Sequence, residues 1–322
     1  MFTTRIALAA AALAVTCAMA EAETIRFSTA GPAPDFLAKS LESFATKVAD
    51  ADVGVEVEVY PGSSLFRQGT EVPAIQRGNL EMSTMTTFEI AAQLPEWGFL
   101  NRAYLFRDYD HMMSVMEGPV GDALKEAVAD GMGIEILAVA YLGTREVNLR
   151  EARDVSGPAD LDGVKMRMPA SPEWLLLGDT LGVEPTPMAM PEVYVALQTG
   201  AIDGQENPLT ITNAAKFWEV TQQIVLTDHL VQPVFYAIGK DFWDGLSDEQ
   251  KQAVATAAVA AADENNKGRR GDEMTVAATM KDKGLRVDEI DLTPFRDNAD
   301  AIYADAPLAE PWNKEMMAEA MK

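Results

Sequence analysis

Residues 23–62 contain a strand, a helix and a second strand, and this order restricts the fold more than any other feature of the sequence. Residues 23–34 alternate and then break at glycine and proline, whereas residues 35–50 repeat apolar side chains at helical spacing after a plausible N-cap at Asp35. Residues 53–62 alternate valine with glutamate. A helix between two strands predicts a βαβ unit, and hence a parallel sheet in an α/β fold.

A second unit follows in the middle of the chain. A turn and a strand at 160–169 lead into a helix that begins after Ser171 and ends at Gly182. Residues 229–239 predict a strand that returns across the molecule, and a long alanine-rich helix begins at Ser247. With 322 residues, the chain is long enough for two lobes, and a ligand cleft is expected between them.

The N-terminus has the pattern of a secretory signal. Arg5 precedes an apolar run, and small residues allow cleavage after Ala20 or Ala22. We expect residues 1–22 to direct Sec-type export and then to be removed. The only cysteine, Cys17, would be removed with them, so the mature protein would contain no disulfide. We expect a protein that is free in the periplasm.

The net charge of the chain is −24, from 26 Lys and Arg against 50 Asp and Glu. A field of this sign repels nucleic acids and anionic lipid surfaces, so neither is expected as a partner. An anionic ligand would need a local positive pocket that offsets this repulsion.

The sequence has no motif that indicates catalysis. His111 and His229 are the only histidines, and the zinc, phosphate-loop and serine-nucleophile motifs are missing. Carboxylates are so numerous that a pair of them carries no information. We therefore predict a non-enzymatic protein without a metal site or a cofactor.

Arg167 is the most informative single residue. It lies between Met166 and Met168 in a segment that otherwise resembles a buried strand. Burying an unpaired guanidinium is costly, but the cost is offset if the side chain faces a cleft and receives a carboxylate through two parallel hydrogen bonds. From this segment alone, an internal ion pair or an edge strand that faces water also explains the arginine.

Several segments taken together resemble one family. In order along the chain they include AYLGTREVNL, GVKMRMPASPEW and PTPMAMPEVYVALQTGAIDGQENP. They resemble the solute-binding proteins of tripartite ATP-independent periplasmic (TRAP) transporters, of the DctP type, and the likeness covers essentially the whole mature chain. The resemblance implies two α/β lobes with crossing strands, a long helix that spans both lobes, and capture of a small organic acid for an ion-gradient-driven permease.

The resemblance also implies roles for three residues. Arg167 would make the central salt bridge to the ligand carboxylate, and Asn207 would contact the same carboxylate. Arg145 would be a second cationic contact, and we interpret Glu206 as a structural residue of the loop that presents Asn207.

Other positions differ from the sialic-acid-binding members of this family. Met190 replaces an aromatic residue, and Thr29 replaces an asparagine. Arg67 and Gln68 replace an acidic pair, and Thr86 and Thr87 replace a Glu-Ser pair. These changes argue against sialic acid and favour a smaller or more anionic acid, such as a dicarboxylate, a keto acid or a sugar acid. Three aromatic residues could either line the site or pack in the core: Phe88, Trp174 and Tyr194.

The resemblance further predicts how the chain is divided. Lobe I would contain residues 23–143 and about 233–270, and lobe II residues 144–232 and about 271–322. Hinges are expected near 143–146 and 230–235, in a monomer whose partners are the TRAP membrane permease subunits. Two alternatives remain: a binding protein of an ABC-type importer, or a periplasmic enzyme or sensor partner that uses the same cleft.

Overall fold

The structure is a computed structural model that describes residues 22–322. The predicted signal peptide therefore lies outside the described residues, except for Ala22. The strands are β1 Glu23–Ser28, β2 Val55–Tyr60, β3 Met82–Thr86, β4 Ile134–Leu149, β5 Lys165–Met168, β6 Glu184–Pro187, β7 Gly204–Pro208, β8 Gln223–Gly239 and β9 Arg286–Glu289.

Helices flank this sheet on both faces. The α-helices are α1 Phe36–Asp50, α2 Glu71–Gln76, α3 Thr87–Ala91, α4 Tyr109–Met116, α5 Pro119–Met132, α6 Pro172–Leu181, α7 Val193–Thr199, α8 Leu209–Ala214, α9 Lys240–Gly245, α10 Asp248–Asp282, α11 Thr293–Asp305 and α12 Lys314–Ala320. Short 3-10 helices cover Pro95–Asn101, Pro158–Leu161, Met190–Glu192, Phe217–Glu219 and Pro307–Ala309.

The first unit has the predicted βαβ form. Strands β1 and β2 are parallel, with Ile25 opposite Val57, and α1 connects them. The Asp35 side chain accepts a hydrogen bond from the Leu37 amide at 2.9 Å, which caps the free N–H groups at the start of α1. Phe27 on β1 packs edge-to-face against Phe44 on α1, with ring centroids 5.4 Å apart. The helix is thereby fixed on one face of the sheet.

Two long antiparallel strands, β4 and β8, connect the halves of the sheet. The strand order is β2-β1-β3-β8-β4-β7-β5-β6, and β9 is added beside β8. The second half of β8 pairs with β3, whereas the second half of β4 pairs with β7. Both strands are longer than their sequence patterns indicated, because each continues from one half of the sheet into the other. The crossing strands of the α/β prediction are confirmed.

The long helix of the prediction is α10, which contains 35 residues and is about 52 Å long at 1.5 Å per residue. Ser247 and Gln250 form a capping box at its start, as the sequence indicated. The helix contacts α1 at one end of the molecule and α8 and β9 at the other. It continues through Gly268 and Gly271 without a break.

The C-terminal segment contacts both halves of the sheet. Helix α11 packs on α6, but α12 packs on α5, and the Asn313 amide donates to the Glu96 carbonyl at 2.8 Å. The lobe boundaries stay a prediction, and these contacts make the assignment of residues 306–322 to lobe II the least supported part of it. None of the helices described in residues 22–322 has the length and apolar character needed to cross a membrane.

Candidate functional site

A cleft lies where the crossing strands change partners. The space between its walls is about 630 Å³, which includes open solvent up to its mouth. Most of the residues predicted for the site line it: Thr29, Gln68, Thr86, Phe88, Arg145, Arg167, Trp174, Met190 and Asn207. The structure thus gathers side chains from widely separated parts of the sequence around one space.

Arg167 is buried in the wall of this cleft without a counter-ion. It lies on β5, which is covered by β7 on one side and β6 on the other, so it does not lie on an edge strand. Its Nε donates to the Met188 carbonyl at 2.9 Å and its Nη2 to the Gln68 side-chain oxygen at 3.1 Å. Among residues 22–322, it forms no ion pair with an Asp or Glu.

Burial lowers the pKa of the Arg167 guanidinium. Only 1% of Arg167 is exposed, and this desolvation, together with the nearby charge of Arg145, lowers its pKa to about 10 against the opposing pull of Glu206 and Glu192. The group remains charged at neutral pH. Both structural explanations that the segment left open, an internal ion pair and an edge strand, are wrong. This guanidinium is therefore a candidate contact for an anionic ligand in the cleft.

Arg145 lies beside Arg167, but its charge is already balanced. Its Nε and Nη2 contact the two carboxylate oxygens of Glu206 at 2.5 and 2.8 Å, and its Nη1 donates to Gln232 at 2.8 Å. Its guanidinium carbon lies 4.6 Å from the centre of the Trp174 ring. Arg145 therefore supports the wall of the cleft and contributes less free charge than Arg167.

The carboxylate of Glu206 is held by two partners. Burial alone would raise its pKa, but Arg145 and a hydrogen bond to His229 at 3.1 Å outweigh burial and keep the pKa below its usual value. Glu206 is therefore an anion that fixes Arg145, in keeping with the structural role inferred from the sequence.

Asn207 presents one amide hydrogen toward the cleft. Its side-chain oxygen accepts from Arg145 at 3.0 Å, and its Nδ2 donates to Gln205 at 2.6 Å. The other polar neighbour of Nδ2 is the weak acceptor sulfur of Met190, at 3.9 Å. A ligand oxygen would be a stronger acceptor at this position.

Two buried carboxyl groups, Glu71 and Glu89, line the cleft as well. Burial raises the pKa of Glu71 to about 7, although nearby backbone amides act in the opposite sense. Burial and the proximity of Glu71 raise the pKa of Glu89 to about 8. Neither forms an ion pair with a Lys or Arg in the described part of the chain.

The model of one protein family, the DctP family of bacterial extracellular solute-binding proteins (family 7), matches residues 27–308. The chain belongs to this family. The resemblance predicted from the sequence is confirmed, and the protein is a TRAP-type solute-binding receptor, so the ABC-importer alternative is set aside.

Solved structures agree with the family assignment. A TRAP periplasmic solute-binding protein from Roseobacter denitrificans, with bound 3-deoxy-D-manno-oct-2-ulosonic acid, is 38% identical, with a TM-score of 0.89 and coverage of 93% of this chain and 98% of that chain. A second protein from that organism, with bound L-galactonate, is 27% identical, with a TM-score of 0.84 and coverage of 92% and 99%. The predicted two-lobe fold is confirmed.

A curated relative also matches over most of its length. The 2,3-diketo-L-gulonate-binding periplasmic protein YiaO of Escherichia coli is 33% identical over 244 residues, which are 76% of this chain and 74% of that protein.

Three residues predicted for the site of this DctP-family protein do not line the cleft. Arg67 is exposed and pairs with Glu192 at 2.7 Å. Thr87 begins α3 and donates to the Asn101 side chain at 2.6 Å, whereas Thr86, the last residue of β3, lines the cleft. The hydroxyl of Tyr194 donates to Glu219 at 2.7 Å, on the outer side of α7. The structure therefore places these three side chains outside the cleft lining.

Four polar residues of the cleft lining were not predicted from the sequence: Glu71, Thr84, Glu89 and Gln232. A local sequence pattern could have identified Glu89. Thr86 and Glu89 have the T-x-x-E spacing of a capping box, and the structure forms this box, with Glu89 accepting from the Thr86 amide at 2.8 Å. In so acidic a chain, the other glutamate could not be distinguished from surface carboxylates. In residues 22–322, no group of His, Cys, Asp and Glu is arranged to hold a metal ion.

Proposed function

We propose that this TRAP solute-binding protein captures a sugar acid through its carboxylate, with Arg167 as the central contact. The observation that carries this proposal is the fully buried Arg167 guanidinium, which lines the cleft and forms no ion pair with any of residues 22–322. Two parallel hydrogen bonds from Arg167 would orient the carboxylate, and the Asn207 N–H that faces the Met190 sulfur would add a third.

The hydroxyl groups of the cleft suit the remainder of a sugar acid. Thr29, Thr84 and Thr86 line one wall, and the Thr84 hydroxyl donates to that of Thr29 at 2.8 Å. Such groups can both donate to and accept from a polyol chain. The relatives support this class, because their ligands include 3-deoxy-D-manno-oct-2-ulosonic acid, L-galactonate and 2,3-diketo-L-gulonate.

We also propose the transport cycle that the family implies. The Sec-type signal peptide, cleaved after Ala20 or Ala22, places a monomer in the periplasm, where ligand binding favours closure of the lobes about hinges near 143–146 and 230–235. Gln68 supports a closure role, because its side-chain oxygen accepts from both Arg167 and the Met190 amide, at 3.1 and 2.9 Å. The loaded form would then dock on TRAP membrane permease subunits.

The same cleft would bind without turnover. No nucleophile with an adjacent base was recognised in the sequence, and we propose a receptor that releases its ligand unchanged. Recovery of the intact acid after long incubation is the expected result, and a new product would favour the enzyme alternative.

The carboxylate contact is tested by calorimetric titration of Arg167 variants with a panel of aldonates and with 3-deoxy-D-manno-oct-2-ulosonate. We expect Arg167→Ala to weaken binding by at least about 100-fold, since loss of a buried charged partner costs about 3 kcal/mol. Arg167→Lys should weaken it by about 10-fold, because the two-point geometry is lost.

Arg286→Ala is the matched control, because this exposed arginine on β9 lies outside the cleft lining and pairs with Asp154, and it should retain binding within about 3-fold. Circular dichroism would verify the fold of each variant. Wild-type affinity in Arg167→Ala would contradict the proposal.

A further inference from the structure

The cleft lining contains charges of both signs, which come from different elements. Arg167 and Arg145 come from β5 and β4, whereas Glu71 comes from the first turn of α2 and Glu89 from α3. Both acids are buried, with 3% and 8% of their surfaces exposed. A small ligand that fills the cleft would therefore have its ends in different electrostatic surroundings.

One oxygen of Glu89 is free to receive a ligand. Its Oε2 accepts from the amide of Thr86 at 2.8 Å and from its hydroxyl at 3.1 Å. Its Oε1 accepts no hydrogen bond from any of residues 22–322. Because this oxygen is not among the fully enclosed unpaired atoms of the described residues, it borders the space of the cleft, where a ligand hydroxyl can donate to it.

Glu71 reinforces the same wall. Its Oε2 accepts from the Thr70 amide at 3.0 Å, and Glu71 lies near enough to Glu89 to raise its pKa. The positive groups of the lining, Arg145 and Arg167, lie on β4 and β5, and Glu206 balances the first of them. No cation in the described chain neutralises the two glutamates.

We propose that Glu71 and Glu89 form the end of the cleft that selects a ligand with a neutral, hydroxyl-bearing tail and rejects a second carboxylate. Hydroxyl groups can donate to these oxygens. A second carboxylate would bring a like charge into a poorly solvated site, which is strongly unfavourable. The inference rests on the proposed function and narrows it from organic acids in general to monocarboxylates.

The test compares acids that differ only at the tail. D-gluconate and L-galactonate end in a CH₂OH group, and D-glucarate and galactarate have a carboxylate in its place. Calorimetric affinities should be measured at pH 8.5, where both glutamates are largely ionised and Arg167 is still charged. For the tighter of the two aldonates, we expect the wild type to prefer the aldonate over its aldarate by at least about 10-fold.

Variants of Glu71 and Glu89 test whether these two residues cause the preference for the aldonate. Glu89→Gln keeps the shape of the side chain and removes its charge. We expect this variant to lower the ratio of aldonate to aldarate affinity by about 5-fold or more, mainly through tighter aldarate binding. Glu71→Gln should act in the same direction. Glu56→Gln, an exposed change on β2, is the matched control and should leave the ratio unchanged.

The outcomes separate the two proposals. If the wild type binds aldonate and aldarate equally well, or if both glutamine variants retain the wild-type ratio, the selection by Glu71 and Glu89 is wrong while the proposed function stands. If none of the sugar acids of either panel binds, the proposed function fails and this inference fails with it. The wild-type ratio is informative even if a variant does not fold.

Discussion

Arg167 shows how a single residue can be kept for binding at a cost to stability. A guanidinium without a directly paired carboxylate in a buried strand is unfavourable for folding, and two neutral hydrogen bonds and the more distant charges of Glu206 and Glu192 limit that cost. Arg145, which lines the same cleft, shows the opposite arrangement, because Glu206 forms a two-point ion pair with it. The contrast between these neighbours supports the assignment of the carboxylate to Arg167.

The titration of Glu71 and Glu89 should make the ligand affinity depend on pH. Between pH 6 and pH 9, Glu71 and Glu89 lose protons, since burial has raised their pKa values to about 7 and about 8. The new negative charges oppose an incoming carboxylate, so binding is coupled to proton uptake and weakens as the pH rises. Above that range, Arg167 begins to lose its charge as well, because its pKa is about 10.

Calorimetry at pH 6, 7.5 and 9 should therefore show a loss of aldonate affinity of about 10-fold over this range. Glu89→Gln should show a smaller loss, because one of the titrating groups is gone. Affinity that is constant, or that rises with pH, would contradict the described electrostatics of the cleft.

At the scale of elements, β4 and β8 place the cleft. Their pairing shifts register between Tyr141 and Gly143 and again between Arg145 and Val147, which is where the strands leave one half of the sheet and enter the other. Gly143 adopts φ +127°, and a Cβ built there would lie 2.5 Å from the Cβ of Pro208. Both the backbone conformation and the close contact require glycine at this crossing.

Gly143→Ala should therefore destabilise the protein by about 2–4 kcal/mol, from backbone strain and the clash with Pro208. Equilibrium unfolding in urea measures the change. Gly271→Ala is the control, because Gly271 is exposed in α10 with no atom near its Cβ position, and it should be neutral or stabilising by about 1 kcal/mol. Equal stability of the two variants would show that the crossing tolerates a side chain.

The helix α10 connects the elements on either side of the crossing. Its Arg269 is fully buried, pairs with Asp35 at 2.6 Å and donates to the Thr210 hydroxyl. Asp35 also caps α1, and Thr210 belongs to α8. One side chain thus joins the long helix to both halves of the sheet, in agreement with the predicted helix that spans two lobes.

At the scale of the whole molecule, the sequence was most informative where local rules and motifs agreed. The βαβ start, the capped helix after Ser171 and Arg167 in its apolar strand all follow from short segments. The position of Thr86 in the cleft, and of Thr87 outside it, could not be read, because it depends on how β3 meets α3. Glu71 and Glu89 were not predicted, because their burial results from tertiary packing. The chain also contains 50 acidic residues, so the sequence does not distinguish a single buried glutamate from the others.

The same reasoning explains why ligand class was harder to predict than fold. Loss of the acidic pair at Arg67 and Gln68 suggested a more anionic ligand. The structure places Arg67 against Glu192, outside the cleft, and adds two acids that the sequence had not indicated. The balance of charge in the cleft is therefore set by Arg167 on one wall and by Glu71 and Glu89 on the other.

The central claim is tested most directly by a crystal structure of the protein with the tightest-binding sugar acid. We predict that both carboxylate oxygens lie about 3 Å from the guanidinium nitrogens of Arg167, with the polyol tail directed toward Glu71 and Glu89. A carboxylate bound at the glutamate wall, or outside this cleft, would contradict the account.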